Sequence, residues 1–256
     1  MTIVSRRTTA PAYSEAEWQT RVELAACYRL VNRYKMTDLI FNHITARVPG
    51  EGHQLLINPF GLLYSEITAS SLIKIDLDGT VLAQPDLPYG VNPAGYIIHS
   101  AIHGARSDVV CVLHTHTRAG TAVSCMAEGL MPISQTALSF DGRVSYHDFE
   151  GPVMDDDERG RLIASLGTNN YLILRNHGLL SCGPSIGSAF VSMLMLERAC
   201  QIQVDAMASS NVVLCSDQAR KYTRDLMTRA DYLNGLQLEW QAMLREVERT
   251  DPDYKT

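Results

Sequence analysis

The sequence predicts a single α/β domain with a central sheet whose strands are buried between helical layers. Short apolar runs alternate with longer segments of helical periodicity along its 256 residues. Two of these runs, around Val110–Leu113 and Leu172–Leu174, are apolar throughout, as strands covered on both faces are. No internal repeat or low-complexity linker interrupts the pattern, and the length suits one large domain.

Helices are predicted along the whole chain, between the apolar runs. Ser14 and Glu17 form a capping-box pattern, which predicts a helix from there to about Tyr34 with one apolar face. The acidic run Asp155–Glu158 suits the first turn of another helix, where we expect it to be solvated. The remaining predicted helices are Pro93–Ala105, Arg118–Ala127, Asp155–Leu166, Ser185–Met207 and Asp217–Arg249.

Short β-type segments occupy most of the rest, and Gln84–Asn92, with its prolines, reads as a loop. The predicted strands are Ile44–Val48, Gln54–Ile57, Leu72–Leu77, Asp108–Leu113, Val144–His147, Tyr171–Leu174 and Leu179–Ser181. We expect residues 1–13 to form a flexible tail and residues 14–215 the main domain. Residues 216–256 are expected to be a helical extension that packs on this domain or on a neighbouring subunit.

Composition excludes several classes of partner. The net charge is −6 and no basic stripe is present, so nucleic acid is not expected to bind. No apolar run approaches the roughly 20 residues of a membrane-spanning helix, and the first residues lack the apolar core of a secretory signal. The six cysteines are scattered in apolar contexts, which is typical of reduced thiols in a cytoplasmic protein.

Histidines follow two of the buried strands. His114 and His116 form a His-x-His pair at the end of the Val110–Leu113 run, and His177 follows the Leu172–Leu174 run. Residues i and i+2 of an extended chain point to the same side, so two imidazoles at this spacing can share one ion. Three protein ligands leave a position open for water or substrate, which is the layout of a catalytic metal centre.

Longer motifs resemble the class II aldolase/adducin family, and the likeness is strongest to the adducin head-domain branch. It extends over roughly Trp18 to Ala208 and rests on Asn42–Thr45, Ile57–Tyr64, Val91–Gly95, His99–Ile102, Val144–Gly151 and Leu174–Leu179. The resemblance implies a three-layer α/β/α fold with a central mixed sheet. It also implies a cyclic homotetramer with active sites at subunit interfaces, and a metal bound by His114, His116 and His177.

The sequence departs from the sugar-phosphate aldolases of that family at positions that carry their chemistry. The family resemblance places an acid/base Glu at the position of Gly95 and small hydroxyl residues that hold a phosphate at Pro93 and Ala94. It also places an asparagine at His43, and a proton-donating Tyr near residues 135–136, where this chain has none. These departures argue against a sugar-phosphate aldolase.

The candidate catalytic residues are His43, His99 and Tyr146, and a structural role stays open as the alternative for each. His43 lies where the family binds its ligand, and His99 lies on the helix before the central strand. His53 and His103 are expected at the surface.

Three functions remain open. The first is a metal-dependent lyase, aldolase-like or a decarboxylase, acting on a small non-phosphorylated hydroxy or keto acid with an uncharged or aromatic tail. The second is a non-haem Fe(II) oxygenase that cleaves aryl-keto or hydroxy acids. The third is a non-catalytic adducin-like binding protein, which the absence of a basic tail in this sequence disfavours. The expected cofactor is one divalent transition metal, Zn²⁺ or Fe²⁺, with Mn²⁺ or Co²⁺ as further options.

Overall fold

A mixed sheet forms the centre of the molecule. The structure is a computed structural model and describes residues 13–151, 156–209 and 211–256. Within these residues the strands are β1 (His43–Arg47), β2 (Gln54–Ile57), β3 (Ile73–Asp76), β4 (Val81–Ala83), β5 (Cys111–Thr115), β6 (Val144–His147), β7 (Tyr171–Leu174) and β8 (Gly178–Gly183). Their order is β4-β3-β2-β1-β5-β8-β7-β6. β6 and β7 run parallel, and the other neighbouring pairs are antiparallel.

Helices cover both faces of this sheet. In the described part of the chain they are α1 (Glu15–Arg33), α2 (Pro93–Ala105), α3 (Arg118–Ser124), α4 (Gln135–Leu138), α5 (Asp156–Leu166), α6 (Ile186–Ala206), α7 (Asp217–Met227) and α8 (Ala230–Thr250). α1, α3, α6 and α8 bury one face of the sheet. α2 and α5 bury the other. The three-layer α/β/α fold expected from the resemblance is confirmed.

The register of the central strands determines which side chains meet. His43 on β1 pairs with His114 on β5, and His114 pairs in turn with Leu180 on β8. Directly paired residues of antiparallel strands project to the same face. Val112 and Leu180 belong to the core beneath α2 and α5, so His43 and His114 lie on that face as well. β5 extends to Thr115, two residues beyond its predicted end, and His114 therefore lies inside the strand.

The predicted C-terminal helix is wrong in one respect, because it divides into α7 and α8. Arg229 has an extended backbone between them, with φ −81° and ψ 142°. The two helices are held at different places, which favours a break: Arg220 and Arg224 of α7 pair with Asp141, whereas Trp240 of α8 packs against α6. Sequence periodicity also missed β4, an exposed edge strand, and α4, a helix of four residues.

The C-terminal helices contact the rest of the chain closely. Glu246 of α8 accepts hydrogen bonds from Arg33 and Tyr34, and the carbonyl of Thr256 accepts one from the amide of Ser70. The domain boundary at residue 215 stays a prediction. Nearly all of the predicted tail, residues 1–12, lies outside the described residues.

Two expectations about environment can be compared with the structure. Among the described residues, no helix is both long and apolar enough to cross a membrane. All six cysteines lie in the described ranges as free thiols, four of them buried. The cytoplasmic location stays a prediction that rests on these thiols.

Candidate metal centre

Three imidazole nitrogens meet where the central strands β5 and β8 adjoin, at the end of β5 and the start of β8. His114 Nε2 lies 2.8 Å from His116 Nε2 and 3.2 Å from His177 Nε2, and the last two atoms are 2.9 Å apart. His114 is buried, and the other two rings are half-buried. The structure thus brings together the three residues that the sequence nominated as metal ligands.

The partners of the opposite ring nitrogens fix the protonation of two of these rings. His114 Nδ1 lies 2.8 Å from the carbonyl oxygen of Leu179, and His116 Nδ1 lies 3.1 Å from Asp38 Oδ2. Both partners can only accept, so each Nδ1 carries a hydrogen, and the neutral form of each ring presents a lone pair at Nε2. Two lone pairs that face each other at 2.8 Å repel unless a cation lies between them.

Electrostatics favour the neutral form of His114 and His177. Burial, together with the neighbouring imidazoles, places the pKa of His114 well below the ordinary value. Burial also lowers the pKa of His177 to about 4. His114 and His177 are therefore poor sites for a proton that would relieve this repulsion.

A transition metal ion fits the donor set. Two nitrogens bound to one tetrahedral ion at about 2.0–2.1 Å stand about 3.3 Å apart, close to the separations seen here. Neutral imidazole suits zinc, iron, copper and nickel. The hydrogen bond from His116 to Asp38 is the carboxylate–histidine pairing that commonly orients a metal-binding ring.

Backbone geometry at the start of β8 places His177. Asn176 has φ 56°, a left-handed conformation that asparagine tolerates, and it turns the chain between β7 and β8. At Gly178 an added Cβ would overlap the carbonyl oxygen of Thr115. Glycine at this position therefore lets β8 approach the end of β5, and His177 reaches the other two rings.

Sequence reasoning missed Asp38. It lies in the loop after α1, and its backbone N–H donates to Asn42 Oδ1 at 2.6 Å. Asn42 is itself buried and adjoins His43. No periodic pattern marks a carboxylate in such a loop, so its contact with His116 emerges only from the folded chain.

His43 occupies the space that a side chain at position 95 would need. A Cβ added to Gly95 would lie 2.5 Å from His43 Nδ1. The His43 ring centroid is 4.2 Å from that of His99 and 5.6 Å from that of His114. His43 Nε2 is buried without a hydrogen-bond partner among the described residues. Position 95 is therefore closed to any larger residue while His43 keeps this conformation.

His99 lies behind His43, away from the three converging nitrogens. It is fully buried, and Thr45 Oγ1 lies 2.8 Å from His99 Nδ1 and 2.9 Å from His103 Nε2. The expectation that His103 is a surface residue is wrong, because this shared hydroxyl holds it in the interior at 2% exposure. His53 is exposed as expected.

Tyr146 has contacts of a structural kind. Its hydroxyl accepts a hydrogen bond from the amide of Leu130 at 3.0 Å, and the guanidinium of Arg175 lies over its ring at 4.3 Å. These contacts anchor the loop before α4, and a catalytic role for Tyr146 stays a prediction.

Glu158 departs from the expectation of a solvated acidic run. It is only 6% exposed, and its Oε1 lies 3.5 Å from His147 Nε2. Residue 155 and the side chains of Asp156 and Asp157 lie outside the described residues. Glu158 lies in the first turn of α5, on the side that faces His147 of β6, and this explains its burial.

The chain belongs to the class II aldolase/adducin family. The family model for the class II aldolase and adducin N-terminal domain matches residues 22–204. An aldolase class 2 protein of Pseudomonas aeruginosa is 51% identical over 94% of both chains. Alpha-adducin of Rattus norvegicus is 44% identical over 93% of this chain, which corresponds to 33% of that protein.

Solved structures agree with this assignment. An aldolase II superfamily protein from Pseudomonas syringae superposes with a TM-score of 0.90 at 46% identity, covering 95% of this chain and 98% of that one. L-fuculose 1-phosphate aldolase from Glaciozyma antarctica gives a TM-score of 0.85 at 27% identity, covering 96% of each chain. The family resemblance stated from the motifs is confirmed.

The close approach of Gly95 to His43 can be tested with two substitutions in α2. Gly95→Ala should lower the free energy of unfolding by about 1–3 kcal/mol, because the new methyl group must displace the buried imidazole. Gly104→Ala is the matched control, since nothing lies within 4 Å of a Cβ added there. It should be neutral or stabilising by up to about 1 kcal/mol. Urea denaturation of both variants measures the difference, and equal effects would contradict the packing described.

Acid should destabilise the metal-free protein over a defined range. Burial lowers the pKa of His43 and of His177 to about 4, against 6.5 for an ordinary histidine. Between these values the unfolded chain binds more protons, so the stability contributed by each group is complete above pH 6.5 and is lost as the pH falls toward 4. The loss is on the order of 3 kcal/mol for each group.

Urea unfolding at several pH values, with a chelator present, measures this dependence. His43→Gln should flatten the profile, whereas the exposed control His53→Gln should leave it unchanged. A profile that His43→Gln does not alter would show that His43 does not contribute to it.

Proposed function

We propose that this chain is a metal-dependent lyase that cleaves a carbon–carbon bond in a small hydroxy or keto acid without a phosphate group. The proposal rests on one observation, the meeting of three imidazole nitrogens within 3.2 Å of one another. When bound there, a divalent transition metal would serve as a Lewis acid for negative charge that develops on substrate oxygens.

The remaining residues of the site bind the substrate or orient the metal-binding rings. Asp38 and the carbonyl of Leu179 hold His116 and His114 in the tautomer that presents Nε2. His43 brings a buried nitrogen with unused hydrogen-bonding capacity beside the three ligands. We assign it to bind a substrate oxygen, with His99 packed behind its ring as a positioning residue.

The substrate class follows from what the site lacks and from what surrounds it. Pro93 and Ala94 have no side-chain donors for a phosphate, and Gly95 has no carboxylate to move a proton. Decarboxylation requires no base to abstract a proton, so it suits this site. Phe149 is 53% exposed, with its ring centroid 6.2 Å from that of His177. Such an aromatic neighbour favours an apolar or aromatic substrate tail.

Two other functions are supported by particular observations. A three-histidine face leaves positions open, as the sites of Fe(II) oxygenases do, and this supports oxygen-dependent cleavage of an aryl-keto or hydroxy acid. The 44% identity to alpha-adducin supports a non-catalytic binding role.

We also propose a homotetramer, consistent with exposed apolar side chains beside the site, among them Leu39 and Phe41.

Metal analysis tests the centre. The purified, metal-reconstituted protein should carry about one transition metal ion per chain. His116→Ala should abolish binding, and Asp38→Asn should weaken metal affinity by about 10–100-fold, because it removes the charge that orients His116. His53→Ala, at an exposed histidine, is the matched control and should keep one ion per chain. Inductively coupled plasma mass spectrometry gives the stoichiometry, and metal that persists in His116→Ala would contradict the assigned ligands.

Turnover separates the functions. The loaded protein should cleave a member of a panel of α-keto, α-hydroxy and aromatic carboxylic acids without consuming oxygen, and His116→Ala should not. Substrate-dependent oxygen uptake in an electrode would instead assign the oxygenase. A protein that binds one metal ion yet turns over no member of the panel under either condition would contradict the enzyme and support the adducin-like role.

A further inference from the structure

A cavity separate from the metal centre lies at the other end of β8. Its volume is about 360 Å³, within the usual range for small-molecule sites. Gly183, at the end of β8, contributes to its wall, whereas His177 immediately precedes the start of β8. Six residues of extended chain separate the two positions, which places the cavity about 20 Å from the three imidazoles.

Aromatic side chains fix the walls of this cavity. The ring centroids of Phe140 and Tyr171 lie 4.9 Å apart in an edge-to-face arrangement. The Trp240 ring lies against α6 at Gly187, where an added Cβ would overlap it, and its centroid is 5.8 Å from that of Phe190. Trp240 itself is 5% exposed. Rings held by such contacts do not collapse into the space, so the cavity is preformed.

Arg143 gives the cavity a positive charge. Its Nη1 donates to the carbonyl of Ser139 at 3.1 Å, and its Cζ lies 5.4 Å from the Tyr171 ring centroid. No carboxylate of the described residues pairs with it. The nearby Arg220 and Arg224 differ, since both pair with Asp141. No acidic side chain contributes to the cavity wall.

Chemistry of this kind selects a particular ligand. A guanidinium that lacks a carboxylate partner, at the wall of a mostly apolar cavity, binds a carboxylate through charge-assisted hydrogen bonds. Flat apolar walls formed by Trp240, Phe140 and Tyr171 accommodate an aromatic ring. The volume is sufficient for a ligand of about ten heavy atoms.

We propose that this cavity is a binding site for a small aromatic monocarboxylate. The carboxylate pairs with Arg143, and the ring lies against Trp240. The site is independent of the metal centre and of the reaction proposed there, so neither claim depends on the other.

Tryptophan fluorescence tests the proposal directly, because the chain contains two tryptophans and Trp240 is one of them. In a Trp18→Phe background, Trp240 alone reports. Titration with phenylacetate should change its emission saturably, both with and without a chelator present. Phenylacetamide has the same shape without the charge, and it should bind roughly tenfold more weakly or worse.

Substitutions at Arg143 provide a second test of the proposed binding site. Arg143→Gln should weaken phenylacetate binding by roughly tenfold or more, whereas Arg143→Lys should retain part of the affinity. Arg198→Gln, at an exposed arginine of α6, is the matched control and should bind as the parent does. Circular dichroism checks folding, and the comparison of acid with amide in the parent decides the matter even if Arg143→Gln fails to fold.

Four outcomes would overturn the proposal. They are no saturable change in Trp240 emission, equal affinity for the acid and the amide, a folded Arg143→Gln variant that binds as the parent does, and a signal that disappears when the chelator is added. The last would place the ligand at the metal centre. Because the predicted signal does not require metal, failure here would leave the proposed lyase untouched, and failure of metal binding would leave this site untouched.

Discussion

Three imidazole nitrogens that converge within 3.2 Å of one another form the constraint on which the rest of this structure depends. In water such rings would turn apart or take up a proton. In this protein His114 is part of a strand of the sheet. The carbonyl of Leu179 fixes the tautomer of His114, and the carboxylate of Asp38 fixes that of His116. Burial places the pKa of His114 well below its ordinary value. The fold therefore maintains a repulsive arrangement of nitrogen atoms that a bound metal cation would stabilise.

The environment of this centre differs from the sugar-phosphate aldolase pattern that the family resemblance implies. His43 fills the volume next to Gly95, so no larger residue can be accommodated at position 95 while the ring stays in place. Behind it, His99 and His103 share the hydroxyl of Thr45 in a fully buried row. This tightly packed flank of buried, neutral histidines is consistent with the proposal of a substrate that brings its own carboxylate and needs no base from the protein.

The metal ligands could be predicted from sequence because their signal is local. A buried strand that ends in His-x-His leaves two rings on one side, and the later His177 follows a strand of the same type. Asp38 could not be predicted, because its contact with His116 joins two loops that only the folded sheet brings together. His103 was misassigned since helical periodicity does not reveal that a strand residue, Thr45, offers it a buried hydroxyl.

The fold class could also be predicted from the sequence, whereas the boundaries of the helices and strands were predicted less well. Apolar runs and caps predicted most strands and helices, whereas the break between α7 and α8 depends on long-range contacts of Asp141 and Trp240 that periodicity cannot contain. The short exposed strand β4 has no apolar alternation to reveal it. Tertiary contacts, rather than local propensity, decide these features.

X-ray absorption at the zinc edge of protein loaded with one equivalent of Zn²⁺ tests the central claim most directly. The convergence of His114, His116 and His177 predicts three nitrogen scatterers at about 2.0–2.1 Å, with the outer-shell pattern of imidazole rings. It also predicts that His114→Ala loses this signature. A first shell of oxygen atoms alone, or a spectrum that His114→Ala leaves unchanged, would contradict it.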